Sequence, residues 1–272
     1  MKNSTIFLAL IVLFSTACKR VEVKNKQQIN DNKMVANSDY LLAATAYHQL
    51  SAEYQALCIQ SFNIARRNID DVLNQEKGIK PPCIIVDIDE TMLDNSPFEV
   101  ECIRQQKSYS SESWKQWCDM AKARAIPGAL EFAKYAEQNE IDVIYCSNRK
   151  IAELDATMKN MSDLGFPFIS KDHFLLKDSV STKRYRRAKV QDKYHIVMLI
   201  GDNLNDFDEL FENRANDFGK GNVDDRFNQF GSKFIVLPNP IYGNWVDAIE
   251  NSSMEQGDLS RVEKLKSKLI GY

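Results

Sequence analysis

The feature that most limits how this chain can fold is the run Cys83-Ile84-Ile85-Val86-Asp87-Ile88-Asp89-Glu90-Thr91-Met92-Leu93-Asp94-Asn95. Pro81 and Pro82 lead into it. A continuous apolar run bounded in this way reads as a strand buried on both faces, the kind a parallel sheet uses. In open parallel sheets, chemistry sits just beyond the carboxyl ends of the strands. Asp87 is therefore expected at such an end, with Asp89 turned out of the strand two residues on. A lone D-x-D is more often a solvated acidic turn. A calcium loop of the EF-hand kind fits badly, because Met92 stands where that loop needs Gly and Phe98 where it needs Glu.

The rest of the chain supplies the sheet. Residues 39–75 carry apolar side chains at helical spacing, and Ser51 can open a second segment there. His48 beside this stripe reads as a surface or satisfied core residue. Residues 96–125 hold Tyr109, Trp114 and Trp117, are long for a plain connection, and are expected to be partly helical over the mouth of the sheet. Pro127-Gly128 opens a helix through Glu137, and another runs to about Leu164. Further strands are expected at residues 141–146, 196–200 and 233–238, and at either 166–169 or 174–176. Alternating strands and helices predict an α/β fold, a Rossmann-like parallel sheet flanked by helices. A smaller, mainly helical cap is expected from residues 39–78 and 96–125.

Three of these strands end in suitable polar residues. Asp87 and Asp89 end the first, Ser147 the second, and Asp202 and Asp206 the fourth. Two carboxylates can divide a phosphoryl transfer, one attacking phosphorus and the other handling protons. A hydroxyl and nearby N–H groups can hold phosphate oxygens, and further carboxylates can hold a hard cation such as Mg²⁺. A lysine is needed to offset charge, and the basic stretch 177–193 offers Lys177 and Lys183. Singly, these pieces are turns, caps and solvated charges; their order on successive strands favours a site.

The first residues read as an address. Lys2 and the apolar stretch 5–14 fit a signal peptide over 1–17, too short to span as a mature helix. Ser15-Thr16-Ala17-Cys18 resembles a lipoprotein cleavage box, with Ser15 where a large aliphatic is usual. A lipid on Cys18 implies anchoring to a membrane surface. Residues 18–38 read as a flexible tether, and 39–272 as the folded domain. Cys58, Cys83, Cys102, Cys118 and Cys146 form no C-x-x-C pair, and their odd count argues against a complete disulfide framework. The 272 residues carry a net charge of −3, which gives no sign of binding to a nucleic-acid polymer.

The set Asp87-Ile88-Asp89-Glu90-Thr91, Ser147, Lys183 and Gly201-Asp202…Asp206 resembles the haloacid dehalogenase (HAD) superfamily of phosphatases. Longer stretches are similar to the class C acid phosphatases, the outer-membrane lipoprotein e family. They are Asp-Glu-Thr-Met-Leu-Asp-Asn-Ser-Pro (89–97), Ser-Asn-Arg-Lys (147–150), Gly-Asp-Asn-Leu-Asn-Asp-Phe (201–207) and Leu-Pro-Asn-Pro-Ile-Tyr-Gly-Asn-Trp (237–245). The resemblance implies a HAD-like fold and a lipid-anchored 5′-nucleotidase of the bacterial envelope, at the outer membrane. It implies Asp87 as nucleophile, Asp89 as general acid and base, and Lys183 as the charge-offsetting lysine. Ser147 would bind phosphate where the family often has Thr, and Asn148 and Arg149 would help bind substrate. Mg²⁺ would be held by the Asp87 side chain, the Asp89 carbonyl and Asp202, with Asp206 in support. Trp114 and Tyr242 match the family's aromatic grip on the base. The likeness allows a homodimer.

The expected activity is Mg²⁺-dependent hydrolysis of nucleoside 5′-monophosphates, nicotinamide mononucleotide among them, through an aspartyl-phosphate. Two alternatives keep the same residues. One is a broad sugar or aryl phosphatase or phosphotransferase. The other is a non-catalytic surface-binding lipoprotein, which would have no need of a nucleophile.

Overall fold

The structure, a computed structural model, describes residues 41–75, 78–214, 217–251 and 261–272. The expected signal peptide, Cys18 and the tether lie outside the described residues. No helix among the described residues is long and apolar enough to cross a membrane.

Five strands form one parallel sheet in the order β5-β4-β1-β6-β7: β1 Pro82–Val86, β4 Asp142–Lys150, β5 Phe174–Lys177, β6 His195–Gly201 and β7 Phe234–Val236. A small antiparallel pair, β2 Leu93–Asp94 and β3 Arg124–Ala125, stands apart from it. The chain runs from β1 outward to β4 and β5, then crosses to β6 and β7 on the other side of β1. That reversal leaves a crevice beyond the carboxyl end of β1, where open α/β sheets bind ligands.

Strand β1 explains the layers. Ile84 and Val86 point into one apolar layer with Phe62, Phe132, Tyr145 and Met198. Cys83 and Ile85 point into the other with Ile144, Leu199, Phe207 and Phe234. Burial on both faces is why this strand shows no alternation of polar and apolar residues.

The N-terminal helices divide. Leu42–Leu50 packs against the helix Ser96–Arg104 after β2, with Gln49 Nε2 donating to Ser96 Oγ at 2.9 Å. Ser51 caps the longer helix Ala52–Leu73 by accepting from the Tyr54 N–H at 3.1 Å. Of the residues expected in the cap, this longer helix instead lies on the sheet. Phe62 meets Phe132 at 5.4 Å, Ser61 Oγ donates to Val236 O at 2.9 Å, and Asn68 Nδ2 donates to Gly231 O and Ser232 O.

The segment 96–125 is partly helical as expected, with Ser96–Arg104 and Ser111–Met120. Of the two candidate third strands, Phe174–Lys177 forms. Strand β4 runs four residues beyond its expected end, to Lys150, with a register shift against β5 between Ser147 and Lys150. All five cysteines among the described residues are buried and unpaired.

Candidate active site

Asp87 is the first residue past β1, and its N–H donates to Ile200 O of β6 at 2.9 Å. The chain then turns tightly: the N–H groups of Met92 and Leu93 both donate to Ile88 O, and the N–H of Glu90 donates to Leu93 O. Glu90 takes a positive φ of 55° in this turn, a conformation that costs most residues energy. Its buried carboxylate accepts from the Asn95 N–H at 2.8 Å and so braces the loop from inside. Burial, then the charge of Asp89, pushes Glu90 well above the usual carboxylate range.

The carboxylates of Asp87, Asp202 and Asp206 each bring an oxygen within 4.8 Å of the others. Lys183 Nζ donates to Asp87 and lies 2.6 Å from Asp206 Oδ1. Burial pushes Asp87 up, and Lys183 opposes that rise. Burial and then Asp206 push Asp202 up to about 7, although Asn239 Nδ2 donates to it at 2.8 Å and Thr91 Oγ1 at 3.2 Å. Gly201 is required by close approach, since a Cβ there would run into the Asp206 carboxylate. Buried oxygen donors that repel one another suit a hard divalent cation. The residues present therefore fit Mg²⁺.

Asp89 faces differently. Its Oδ1 accepts from Asn95 Nδ2 at 2.9 Å and from Arg149 Nε at 2.9 Å, and its Oδ2 accepts from Ser147 Oγ at 3.2 Å. Arg149 is buried and also donates to Thr157 and Asn95. Ser147 is fully buried, and its hydroxyl accepts from the Arg149 N–H as well as donating to Asp89. Ser147, expected at the phosphate, lies beside the Asp89 carboxylate, its hydroxyl 3.2 Å from Asp89 Oδ2. Period-two alternation at the end of β4 turns Ser147 and Arg149 inward and Asn148 outward.

The basic stretch is less solvated than its composition suggests. Arg186 is buried and donates to Ser147 O, Asn148 Oδ1 and Ser181 O, tying the end of β4 to the turn that carries Lys183. Arg187 donates to Asp206 O at 3.0 Å.

These groups open into a cleft of about 700 Å³ that holds Asp87, Asp89, Asn148, Arg149, Lys177, Lys183, Asp202, Asp206, Trp114 and Tyr242. Of the predicted site residues, Ser147 alone is missing from its walls. Trp114 is held edge-on by Phe98 at 5.2 Å and sits beside Tyr109 at 6.2 Å. Tyr242 follows the Asn239 turn, where Asn239 Oδ1 accepts from the Ile241 and Tyr242 N–H groups. Trp117 serves differently, donating to Asn95 Oδ1 at 2.9 Å.

Sequence reasoning gave no role to Asn95, Asn239, Glu90 or Glu99. Asn95 and Asn239 lay inside motifs already singled out, and an amide beside a site carboxylate was the available signal. Glu99 lies in the segment expected over the mouth of the sheet, but no motif singles it out.

A parallel sheet with an aspartate pair past its central strand, a lysine against the first carboxylate and two more carboxylates at the neighbouring strand is the arrangement of HAD-type phosphatases. The chain matches the family described as HAD superfamily, subfamily IIIB (acid phosphatase), over residues 4–245. It belongs to that family. Two solved structures of the class C acid phosphatase from Bacillus anthracis are similar to it. One, with tungstate bound, is 35% identical with a TM-score of 0.80, and the other is 36% identical with a TM-score of 0.79. Each alignment covers 86% of this chain and 98% of the other. The protein is thus a phosphomonoesterase, an acid phosphatase of class C.

Proposed function

We propose that the enzyme hydrolyses nucleoside 5′-monophosphates and related small phosphomonoesters, nicotinamide mononucleotide included, through an aspartyl-phosphate on Asp87. The observation that carries this is the difference between the surroundings of the two aspartates. Asp87 lies against Lys183 among other carboxylates, whereas Asp89 is held apart by Arg149, Asn95 and Ser147. A carboxylate oxygen of Asp87 attacks phosphorus, and the ester oxygen leaves with the proton of Asp89. Water then attacks phosphorus, gives its proton to Asp89, and frees inorganic phosphate and the Asp87 carboxylate. Lys183 offsets negative charge on Asp87 throughout. Mg²⁺, held by Asp87, the Asp89 carbonyl and Asp202 with Asp206 in support, would neutralise the phosphate oxygens when bound. Tungstate in the Bacillus anthracis structure is a tetrahedral oxyanion like phosphate, which supports a phosphate seat in the same fold.

The substrate class rests on the walls of the cleft. Trp114 and Tyr242 both line the cleft, and a base stacked on such rings gains roughly 1–3 kcal/mol whatever its identity. Phosphate release from 5′-nucleotides, nicotinamide mononucleotide, sugar phosphates and an aryl phosphate, with Mg²⁺ or EDTA, tests the reading. Nucleotides are expected to lead, and Trp114→Ala is expected to lower kcat/KM about tenfold more for them than for the aryl phosphate. Equal losses on both would retire the stacking role.

We also infer that Cys18 carries lipid and holds the enzyme at the bacterial envelope. Mass spectrometry of the mature N-terminus tests this, and an unmodified Cys18 in the membrane fraction would refute it.

A further inference from the structure

We propose that Trp117 is a positioning residue for proton transfer: its indole N–H locks the Asn95 amide, and the amide aims Asp89. The inference rests on the acid role given to Asp89 above. Asn95 joins β2 to the helix Ser96–Arg104, is fully buried, and has its N–H fixed by Glu90 Oε1 at 2.8 Å. One atom of its side-chain amide meets both Trp117 Nε1 at 2.9 Å and the Arg149 guanidinium at 3.2 Å. An indole N–H and a guanidinium can only donate. The amide atom facing them must therefore be the oxygen. That leaves the NH₂ to face Asp89, where Nδ2 donates to Oδ1 at 2.9 Å. Arg149 Nε donates to the same oxygen at 2.9 Å.

With two donors on Oδ1, the oxygen left to pass a proton is Oδ2, which only the longer bond from Ser147 Oγ reaches, at 3.2 Å. As the phosphorus–oxygen bond breaks, the ester oxygen takes that proton and departs as the alcohol. With Trp117 gone, only the 3.2 Å contact from Arg149 would oppose a flip of the amide. A flipped amide sets its oxygen against the Asp89 carboxylate, one acceptor against another. Trp114 and Trp117 are three residues apart on the helix Ser111–Met120, so they are neighbours on its surface. Trp114 lines the cleft, with the Arg149 guanidinium 5.6 Å from its ring centre. One short helix thus carries both a wall of the cleft and the lock on the acid.

The test measures release of the phenol in a single turnover from phenyl phosphate and from 4-nitrophenyl phosphate. It compares the wild type with Trp117→Phe, Asn95→Ser and Asp89→Asn. Both esters carry one ring, so stacking affects them alike, but phenol is the weaker acid and its departure needs the proton more. Trp117→Phe keeps a ring and loses the donor. It is expected to slow phenyl phosphate about tenfold and 4-nitrophenyl phosphate by about threefold at most, and Asn95→Ser to show the same gap. A merely structural fault would slow the two esters equally. Asn95→Ser keeps a capping side chain at the start of its helix and carries the test alone if Trp117→Phe does not fold. Equal losses in Trp117→Phe, or a gap there that Asn95→Ser lacks, overturn the proposal, while a gap in Asp89→Asn keeps the acid role of Asp89. Equal losses in Asp89→Asn overturn both.

Discussion

Two acidic groups flank the same loop, and they have opposite characters. Asp87, Asp202 and Asp206 face the cleft, with one ammonium, Lys183, lying against Asp87 and Asp206. Asp94, seven residues past Asp87, is closed in. Its Oδ1 accepts from the Ser96 N–H and hydroxyl and lies 3.1 Å from His48 Nε2, and its Oδ2 accepts from Arg124 at 2.9 Å. Burial raises both kinds of carboxyl. In Asp94 the hydrogen bonds from His48 and Ser96 overcome it and hold the group at about 2, whereas Asp202 is left at about 7. The contrast teaches that a buried carboxylate with its donors fixed in the fold is structure. One left short of positive charge is kept for something that arrives.

The largest expected effect separates the groups by activity. Asp87→Asn should lower kcat at least about 10⁴-fold, while its melting temperature stays level or rises because a buried repulsion is relieved. Substantial phosphate release by the folded variant would end the nucleophile assignment. Asp94→Ala should behave in reverse. Removing one partner of a buried ionic cluster costs about 3 kcal/mol in urea unfolding, with turnover per folded molecule within about tenfold of the wild type. A stable but inactive Asp94→Ala would erase the distinction.

Mg²⁺ sharpens the comparison from the other side. At about a hundred times its Kd it should add roughly 2.7 kcal/mol of stability to the wild type, read as a higher melting temperature, and much less to Asp202→Asn. An equal gain in both would move the metal elsewhere. The smallest effect is on acid stability. The folded-state pKa of Asp94, about 2, lies below the ordinary 3.8, so its contribution is complete above about pH 4. It is lost as pH falls towards 2, amounting to about 2 kcal/mol. Asp94→Asn should be missing this part of the acid limb in melts at successive pH values; an unchanged limb would mean that other groups carry it.

Much of this was legible because the residues concerned obey local rules. The unbroken apolar run of β1 announced a strand covered on both faces, and strand ends bearing Asp87 and Asp202 followed from that. The cluster of Asp87, Asp202 and Asp206 beside Lys183 was readable as an ordered set. What escaped depends on partners distant in sequence. Ser147 was read at its strand end, but its hydrogen bond to Asp89, 58 residues away, had no signal in the sequence. His48 read as a surface or satisfied core residue and is a buried one; only the identity of its partner, Asp94, 46 residues later, was hidden. Arg186 and Arg187 looked solvated because the carbonyls they hold belong to other elements.

The long N-terminal helix acts as a clasp. Ser61 and Asn68 reach Val236, Gly231 and Ser232, contacts that span 163 to 175 residues of chain. Contacts of such sequence separation form late and slowly. During synthesis the helix can settle on Phe132 early, but these hydrogen bonds have no acceptors until β7 has left the ribosome. The clasp therefore also sets a schedule: nearly the whole domain must be made before its last hydrogen bonds can close.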